Sequence, residues 1–140
     1  MALISSRKIE DLHPRVAELA RKFVAECDRA GIDVLIYSTY RDAESQAALY
    51  AQGRQTPGPI VTYAMPGQSF HNWRCAFDFV PMLNGKPAWN DKPLYRMCGE
   101  IGERVGLEWA GRWKSFNEMA HLQYTGGLTI KDLQAGKEIA

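Results

Sequence analysis

Apolar residues between positions 14 and 30 recur every three or four residues, the spacing of a helix with one buried face. Pro14 suits the first turn of this helix, and Gly31 suits the position just after its end. Residues 32–37 are short, apolar and β-branched, which predicts a buried strand. The pattern therefore predicts a helix followed directly by a strand.

A second helix is predicted from Asp42, which can cap its start, to Gln52. Residues 53–69 are rich in glycine and proline, so we expect a long loop with little regular structure. Loops of this length often carry function.

The second half of the chain predicts a hairpin. Residues 75–83 form a strand pattern, and Asn84-Gly85 is a strong turn signal before a second strand at 86–89. The hairpin requires an antiparallel sheet at this point.

Residues 94–105 return to helical spacing, between Pro93 and Gly106. Two short strand patterns follow, at 107–109 and 121–124, and Thr129 with Asp132 resembles the capping box of a short last helix. The order of elements predicts an α+β domain in which a small antiparallel sheet packs against three to four helices.

Composition narrows the functional classes. A hydrophobic content of 46% with four tryptophans excludes a disordered chain, and a net charge of +1 gives no electrostatic basis for binding nucleic acid. The 140 residues fit one domain. We therefore expect residues 1–140 to form a single catalytic domain, without a separate targeting domain.

The chain also lacks sequence signals for export or membrane insertion. Charged Arg7 and Lys8 follow the start closely, with no apolar signal-peptide core, and no run approaches the roughly 20 apolar residues of a membrane span. Three widely spaced cysteines suit free thiols better than disulfides. We expect a protein that is synthesised in the cytoplasm and has no stable insertion in the membrane.

Two histidines and two acids are the candidate chemistry. A catalytic zinc site needs about three nitrogen or oxygen ligands and one open position, which His71, Asp78 and His121 could supply. Zinc lowers the pKa of a bound water to roughly 7, and a general base must accept the proton. Glu118, three residues before His121, could be that base.

Strand alternation supports this choice. Asp78 shares one face of its strand with Ala76 and Val80, whereas Cys75 and Phe77 take the other face. Cys75 is therefore excluded from the site. Each candidate taken singly is more often a hydrogen-bonded structural residue, so spacing alone does not establish the site.

Longer motifs supply the missing specificity. The chain contains Ser-x-His-x(6)-Asp from Ser69 to Asp78 and an acid-x-x-His from Glu118 to His121. Further matching segments are Tyr37-Ser38-Thr39-Tyr40-Arg41, Gln46, Leu49-Tyr50, Gln52-Gly53-Arg54, Thr56-Pro57-Gly58, Leu107-Glu108-Trp109-Ala110-Gly111-Arg112-Trp113 and His121-Leu122-Gln123. Together they resemble the zinc metallopeptidases related to D-Ala-D-Ala carboxypeptidases, which share the hedgehog/DD-peptidase fold. The nearest likeness is to small phage endolysins of the L-alanyl-D-glutamate peptidase type.

The resemblance implies a role for each matching residue. His71, Asp78 and His121 would hold one catalytic Zn²⁺, Glu118 would be the catalytic acid, and Arg41 would lie near the substrate or a developing oxyanion. Without the resemblance, Arg41 reads as an ordinary surface cation.

The resemblance also implies a biological setting. The substrate would be bacterial peptidoglycan, cut between L-alanine and D-glutamate of its stem peptides by a monomeric enzyme without a separate cell-wall-binding domain. A phage enzyme of this kind, made in the host cytoplasm, reaches the wall after a holin permeabilises the membrane.

One position departs from the family pattern. The family usually has glycine three residues after its first histidine, where this chain has Arg74. Glycine adopts backbone angles that are unfavourable for arginine, so the local turn could differ.

Three further residues are predicted to contact the substrate. Ser69 suits a turn and equally a hydrogen bond to the substrate or to a metal ligand. Gln46 could orient Arg41, although a solvated helix face is the simpler account. Trp109 and Trp113 could line the cleft, but large aromatic side chains more often fill the core.

Two other functions fit parts of the pattern. A D-Ala-D-Ala carboxypeptidase or dipeptidase would use the same metal chemistry on another bond. A non-catalytic metal-binding module of the hedgehog kind would retain the fold alone, although Glu118 argues against it because a structural zinc site needs no base.

Overall fold

The structure is a computed structural model and describes residues 5–115 and 117–139. The sequence predicts no signal peptide at the start of the chain, and residues 1–4 of that segment lie outside the described residues. The helices within the described residues are α1 (Pro14–Arg29), α2 (Ala43–Ala51), α3 (Lys92–Val105) and α4 (Ile130–Gln134). The strands are β1 (Asp33–Ser38), β2 (Ala76–Leu83), β3 (Lys86–Pro87), β4 (Glu108–Trp109) and β5 (His121–Gln123).

The strands form one antiparallel sheet in the order β1-β2-β5-β4, with β3 paired to the end of β2. The predicted α+β class is therefore confirmed. Strand β5 lies between β2 and β4, and its pairing with the distant β2 brings the two halves of the chain together. No helix among the described residues has the length and apolar character needed to cross a bilayer.

The core lies between the sheet and helices α1 and α3. Phe77 and Phe79 alternate with Asp78 on β2 and are fully buried, with ring centroids 5.9 and 5.1 Å from that of Phe23 on α1. Tyr95 on α3 packs on Phe79 at 5.5 Å. The predicted alternation is confirmed: the aromatic face of β2 fills the core and leaves Asp78 on the opposite face.

Local signals in the sequence set most boundaries. Asp42 Oδ1 accepts from Ser45 N at the start of α2, and Thr129 and Asp132 form the predicted capping box at the start of α4. Asn84 and Gly85 both have positive φ, 52° and 75°, as the predicted two-residue hairpin turn requires.

Residues 53–69, all of them described, contain no helix and no strand beyond an isolated bridge between Gln52 and Thr56. We call this segment the 53–69 loop. The described residues also contain three short 3-10 helices that the sequence pattern did not predict, at Ile9–Asp11, Phe70–Trp73 and Ala110–Arg112. The second and third of them flank the candidate site.

Arg74 ends the 3-10 helix Phe70–Trp73 in the left-handed conformation, with φ 63° and ψ 25°. This is a conformation that glycine adopts without strain and that costs another residue about 1 kcal/mol. Arg74 Nη1 donates to the carbonyl oxygen of Asp11 at 2.6 Å, and its guanidinium lies 3.8 Å from the ring centroid of Tyr40. The turn thus retains the backbone angles suited to the family glycine, and side-chain contacts offset the strain.

Candidate metal centre

His71 is held by the loop-to-helix turn that precedes β2. Ser69 Oγ accepts from the backbone N–H of His71 at 3.2 Å, and His71 Nδ1 lies 2.8 Å from the carbonyl oxygen of Thr39. A carbonyl oxygen can only accept, so Nδ1 carries the proton. His71 Nε2 therefore presents its lone pair to the cleft.

Asp78 and His121 meet through the sheet. They are direct cross-strand partners on β2 and β5, so their side chains lie on the same face. His71 Nε2 lies 3.3 Å and His121 Nδ1 3.4 Å from the same oxygen, Asp78 Oδ1. The sheet register, with the 3-10 helix that precedes β2, thus brings together the three ligands predicted from two distant segments.

The spacing of these atoms fits a zinc ion. Bonds of about 2.0–2.1 Å in a tetrahedron put neighbouring ligand atoms about 3.3–3.5 Å apart. One nitrogen or oxygen from each of His71, Asp78 and His121 lies within 4.8 Å of the other two. The residues present therefore suit a tetrahedral ion with nitrogen and oxygen ligands.

Burial favours a cation at this point. The histidines are only 4% and 6% exposed, and His121 Nδ1 is a buried atom without a hydrogen-bond partner among the described residues. The His71 lone pair also faces the Asp78 carboxylate, which repels it unless a positive charge lies between them. A metal ion would satisfy all three groups at once.

The ionisation of the cluster follows the same logic. Burial alone raises the pKa of Asp78, but His71 and His121 lower it by more, so the pKa lies well below its ordinary value. Burial alone lowers the pKa of His121, and Asp78 raises it above its ordinary value. The site is built around an ionised carboxylate that stabilises positive charge beside it.

Cys75 packs in the hydrophobic core, outside the candidate ligand cluster. It is 1% exposed, and burial raises the pKa of its thiol to about 11, so it remains protonated near neutral pH. The described cysteines, Cys27, Cys75 and Cys98, are all buried and free.

Glu118 lies at the open side of the cluster. Its segment is positioned by a hydrogen bond from Glu118 N to Ala110 O at 3.2 Å and one from His121 N to Glu118 O at 3.3 Å. Glu118 Oε2 lies 3.5 Å from His121 Nδ1, while its side chain is 59% exposed. Glu118 is therefore adjacent to the ligands yet accessible to water, as a general base must be.

Arg41 lines the same cleft, and burial lowers its pKa from the ordinary value. Its Nη1 donates to Gln46 Oε1 at 3.0 Å and its Nη2 to Ser38 Oγ at 3.3 Å. The guanidinium is thus fixed by neutral partners, which leaves its positive charge available to the cleft.

The three predicted substrate contacts separate into two groups. Ser69 lines the cleft, whereas Gln46 is fully buried behind Arg41 and Trp109 is 3% exposed within the core. Trp109 Nε1 donates to Met119 O at 2.8 Å, which anchors the segment that carries Glu118. Gln46 and Trp109 therefore do not face the cleft as substrate contacts would. Gln46 instead orients Arg41, and Trp109 fills the core, which are the other roles that the sequence allowed. Trp113 takes the cleft position instead, with its ring centroid 5.6 Å from that of His121.

Sequence reasoning missed several supporting residues. Thr39 O holds His71, Asn72 Nδ2 donates to Arg41 O at 2.9 Å, and Gln123 Oε1 lies 2.7 Å from His121 Nε2. A signal for Gln123 was present, because the second residue after a ligand on a strand shares the face of that ligand. Thr39 acts through its backbone, for which its side chain gives no signal.

Two adjoining cavities surround the cluster. The cavity that contains the ligands has a volume of about 460 Å³, and its neighbour has about 730 Å³. Residues lining both cavities are Val61, Thr62, Ala64, Gln68 and Glu118. The cleft therefore extends beyond the ligands, along the 53–69 loop towards α4.

Two curated relatives match most of the chain. Peptidoglycan L-alanyl-D-glutamate endopeptidase CwlK of Bacillus subtilis is 38% identical over 122 residues, which cover 81% of this chain and 73% of the relative. The L-alanyl-D-glutamate peptidase of Listeria phage A118 is 32% identical over 127 residues, covering 86% of this chain and 40% of the relative. The chain thus spans less than half of the phage protein.

A solved structure confirms the predicted fold. The L-Ala D-Glu endopeptidase ChiX of Serratia marcescens superimposes with a TM-score of 0.65 at 20% sequence identity, over 88% of this chain and 90% of ChiX. The family model described as VanY, D-alanyl-D-alanine carboxypeptidase, matches residues 9–127. The resemblance drawn from the sequence is therefore confirmed, and the chain belongs to the VanY family of peptidases.

Proposed function

We propose that this protein is a zinc-dependent endopeptidase that hydrolyses the bond between L-alanine and D-glutamate in peptidoglycan stem peptides. The observation that carries the proposal is the buried cluster of His71, Asp78 and His121 at tetrahedral spacing, with the exposed carboxylate of Glu118 beside it. The choice of bond is supported by the two relatives, which are named for it.

Zinc held by His71, Asp78 and His121 would supply a Lewis acid that activates water and polarises the scissile carbonyl. Glu118 would take a proton from the attacking water and later give it to the leaving amine. Its position supports this cycle, because the carboxylate is close to the ligands but mostly exposed. The alanine carbonyl carbon gains the water oxygen, and the glutamate nitrogen leaves as a free amine.

Arg41 would stabilise the negative charge that develops on the carbonyl oxygen. Its guanidinium lines the cleft and is held from behind by Gln46 and Ser38. A donor that is already oriented needs no reorganisation during the reaction, which increases its effect on the rate.

The shape of the cleft supports cleavage within a peptide. An endopeptidase must hold residues on both sides of the bond, whereas a carboxypeptidase needs room for only a short terminal group. The cavity of about 730 Å³ continues from the ligands along the 53–69 loop and is lined by Lys131 at its far side. It provides space and a positive charge for acidic stem residues.

A role in phage lysis forms part of the same proposal. One of the relatives is a phage protein, which supports an endolysin that is made in the host cytoplasm and degrades the wall once a holin has opened the membrane. Peptidoglycan is the substrate whether the protein acts in phage lysis or, like its Bacillus relative, belongs to a bacterium.

The alternative substrate is the D-Ala-D-Ala terminus, which the description of the matching family favours. The two reactions leave different products. Cleavage of the L-Ala–D-Glu bond leaves stem peptides with a free D-glutamate amine, whereas carboxypeptidase action releases D-alanine.

Digestion of purified wall by the purified protein tests the proposal. We expect mass spectrometry to find new D-glutamate amino termini, a loss of activity after chelation, and recovery when zinc is restored. Glu118→Gln should lower turnover about 10²–10⁴-fold without loss of zinc binding. Glu100→Gln, on the exposed side of α3, is the matched control and should act like the wild type. Release of D-alanine alone, or full activity of Glu118→Gln, would refute the proposal.

A further inference from the structure

A chain of polar side chains leads away from the candidate metal centre behind His121. His121 Nε2 lies 2.7 Å from Gln123 Oε1, and Gln123 Nε2 donates to Glu108 Oε2 at 2.6 Å. His121 and Gln123 lie two residues apart on β5, so they share one face of the strand. Glu108 on β4 is the direct cross-strand partner of Gln123.

The Glu108 carboxylate, at the end of this series of side chains, sets the direction of both hydrogen bonds. An ionised carboxylate only accepts, so the amide nitrogen of Gln123 must face Glu108. The opposite orientation would put the amide oxygen 2.6 Å from a carboxylate oxygen. The Gln123 oxygen therefore faces His121, and His121 must donate from Nε2.

We propose that Glu108 and Gln123 are positioning residues that keep His121 in the Nε2–H tautomer, so that its Nδ1 lone pair is directed at the metal. This inference rests on the proposed function in so far as His121 is a zinc ligand. The buried, unpartnered Nδ1 of His121, 3.4 Å from Asp78 Oδ1, is the atom that the arrangement leaves free. In other metal sites, loss of a residue that hydrogen-bonds a ligating histidine weakens metal binding about 10–100-fold.

The two histidines are held in opposite ways. His71 donates from Nδ1 to the backbone oxygen of Thr39 and is left with a lone pair on Nε2. His121 donates from Nε2 and is left with a lone pair on Nδ1. Because a backbone oxygen is always an acceptor, the His71 tautomer survives substitution of the Thr39 side chain, whereas the His121 tautomer depends on two side chains.

The first test is the tautomeric state itself, measured by ring-nitrogen NMR on the full chain with ¹⁵N-labelled histidine. In metal-free wild-type protein at pH 9, we expect His121 to carry its proton on Nε2 and His71 on Nδ1. Half-buried His13, whose Nδ1 accepts from Arg15 N at 3.1 Å, is an internal reference for an imidazole outside the cluster. A proton on His121 Nδ1 would overturn the inference, even if the protein binds zinc and cleaves wall.

The second test compares zinc affinities by competition with a chromophoric chelator. Gln123→Met retains the length of the side chain but removes the amide, and it should weaken zinc binding about 10–100-fold. Glu103→Gln is the matched control, since it removes a surface carboxylate that binds Arg112 Nε at 2.6 Å, and it should leave zinc affinity unchanged. Circular dichroism establishes that each variant is folded.

A polarity swap separates positioning from simple packing. Gln123→Glu alone places two carboxylates side by side and should weaken zinc binding. Adding Glu108→Gln restores a donor opposite the new carboxylate, which still accepts from His121 Nε2, so the double variant should return to within about threefold of wild-type affinity. A double variant no better than Gln123→Glu, or wild-type affinity in Gln123→Met, would refute the inference. A wild-type protein that binds zinc but leaves wall intact would refute the proposed function alone.

Discussion

The two walls of the cleft are built differently. One wall is the sheet and its adjoining 3-10 helix, where His71, Asp78 and His121 lie with both histidine rings buried. The other is the 53–69 loop, where Ile60, Val61, Tyr63 and Met65 are between 46% and 68% exposed. The sheet wall holds the chemistry in backbone-paired elements, and the loop wall offers apolar side chains to solvent.

A few polar contacts hold the loop wall. Gln46 Nε2 donates to Ala64 O at 2.7 Å, Arg54 Nη1 to Thr62 O at 3.2 Å, and Gln134 Nε2 to Gly67 O at 3.1 Å. Ligand geometry tolerates errors of a fraction of an ångström, whereas contact with a peptide tolerates adjustment. The comparison therefore predicts large effects on metal and turnover from the sheet wall, and small effects on substrate affinity from the loop wall.

Asp78→Asn should have the largest effect. It removes the charge that both histidines face, so zinc affinity should fall on the order of 10³-fold and wall hydrolysis should become undetectable. Competition with a chelator measures the first effect and turbidity of purified wall the second. Asp28→Asn, on the exposed side of α1, should change neither. Retention of tight zinc binding in Asp78→Asn would contradict the assigned ligand set.

Arg41→Lys should come next. A lysine retains the charge but loses the planar fork that Gln46 and Ser38 hold, so turnover should fall about 10²-fold with zinc affinity unchanged. The measurement is the rate on a soluble stem peptide under saturating conditions. Arg29→Lys, an exposed ion-paired arginine at the end of α1, controls for the substitution itself. A change confined to KM would instead place Arg41 in ground-state binding.

Gln46→Leu tests the link between the walls, because the Gln46 amide contacts both Arg41 and the loop. The fully buried leucine leaves an arginine donor and the Ala64 carbonyl unsatisfied, which should lower the free energy of unfolding by about 2–3 kcal/mol. Chemical denaturation measures the loss, and hydrogen exchange should increase in the 53–69 loop. Gln55→Leu, exposed in the same loop, is the control. Equal hydrogen exchange of the 53–69 loop in Gln46→Leu and Gln55→Leu would show that Gln46 does not stabilise the loop.

Val61→Ser should have the smallest effect. Val61 lines both cavities and is 54% exposed, so its loss should raise KM for a soluble stem peptide about threefold at constant kcat. Leu83→Ser, at the exposed end of β2, removes similar apolar surface outside the described lining of the cleft and should leave KM unchanged. A large fall in kcat for Val61→Ser would contradict the prediction that the loop wall affects substrate affinity and not turnover.

The sequence by itself determined the local elements. Helical spacing located α1 and α3, Asn84-Gly85 located the hairpin, and alternation on β2 separated Asp78 from the core aromatics. These features depend on neighbours in the chain, and backbone geometry translates them directly into structure. Family motifs then named the candidate ligands and Glu118, which neither periodicity nor spacing could have established.

Only the tertiary structure decided how distant groups meet. The pairing of β2 with β5 puts Asp78 opposite His121, and the pairing of β4 with β5 puts Glu108 opposite Gln123. The burial of Trp109 likewise follows from packing, since an aromatic residue fits a core and a cleft wall equally well by composition. Sheet register links residues that are remote in sequence, so the direction of a histidine lone pair is a property of the folded sheet.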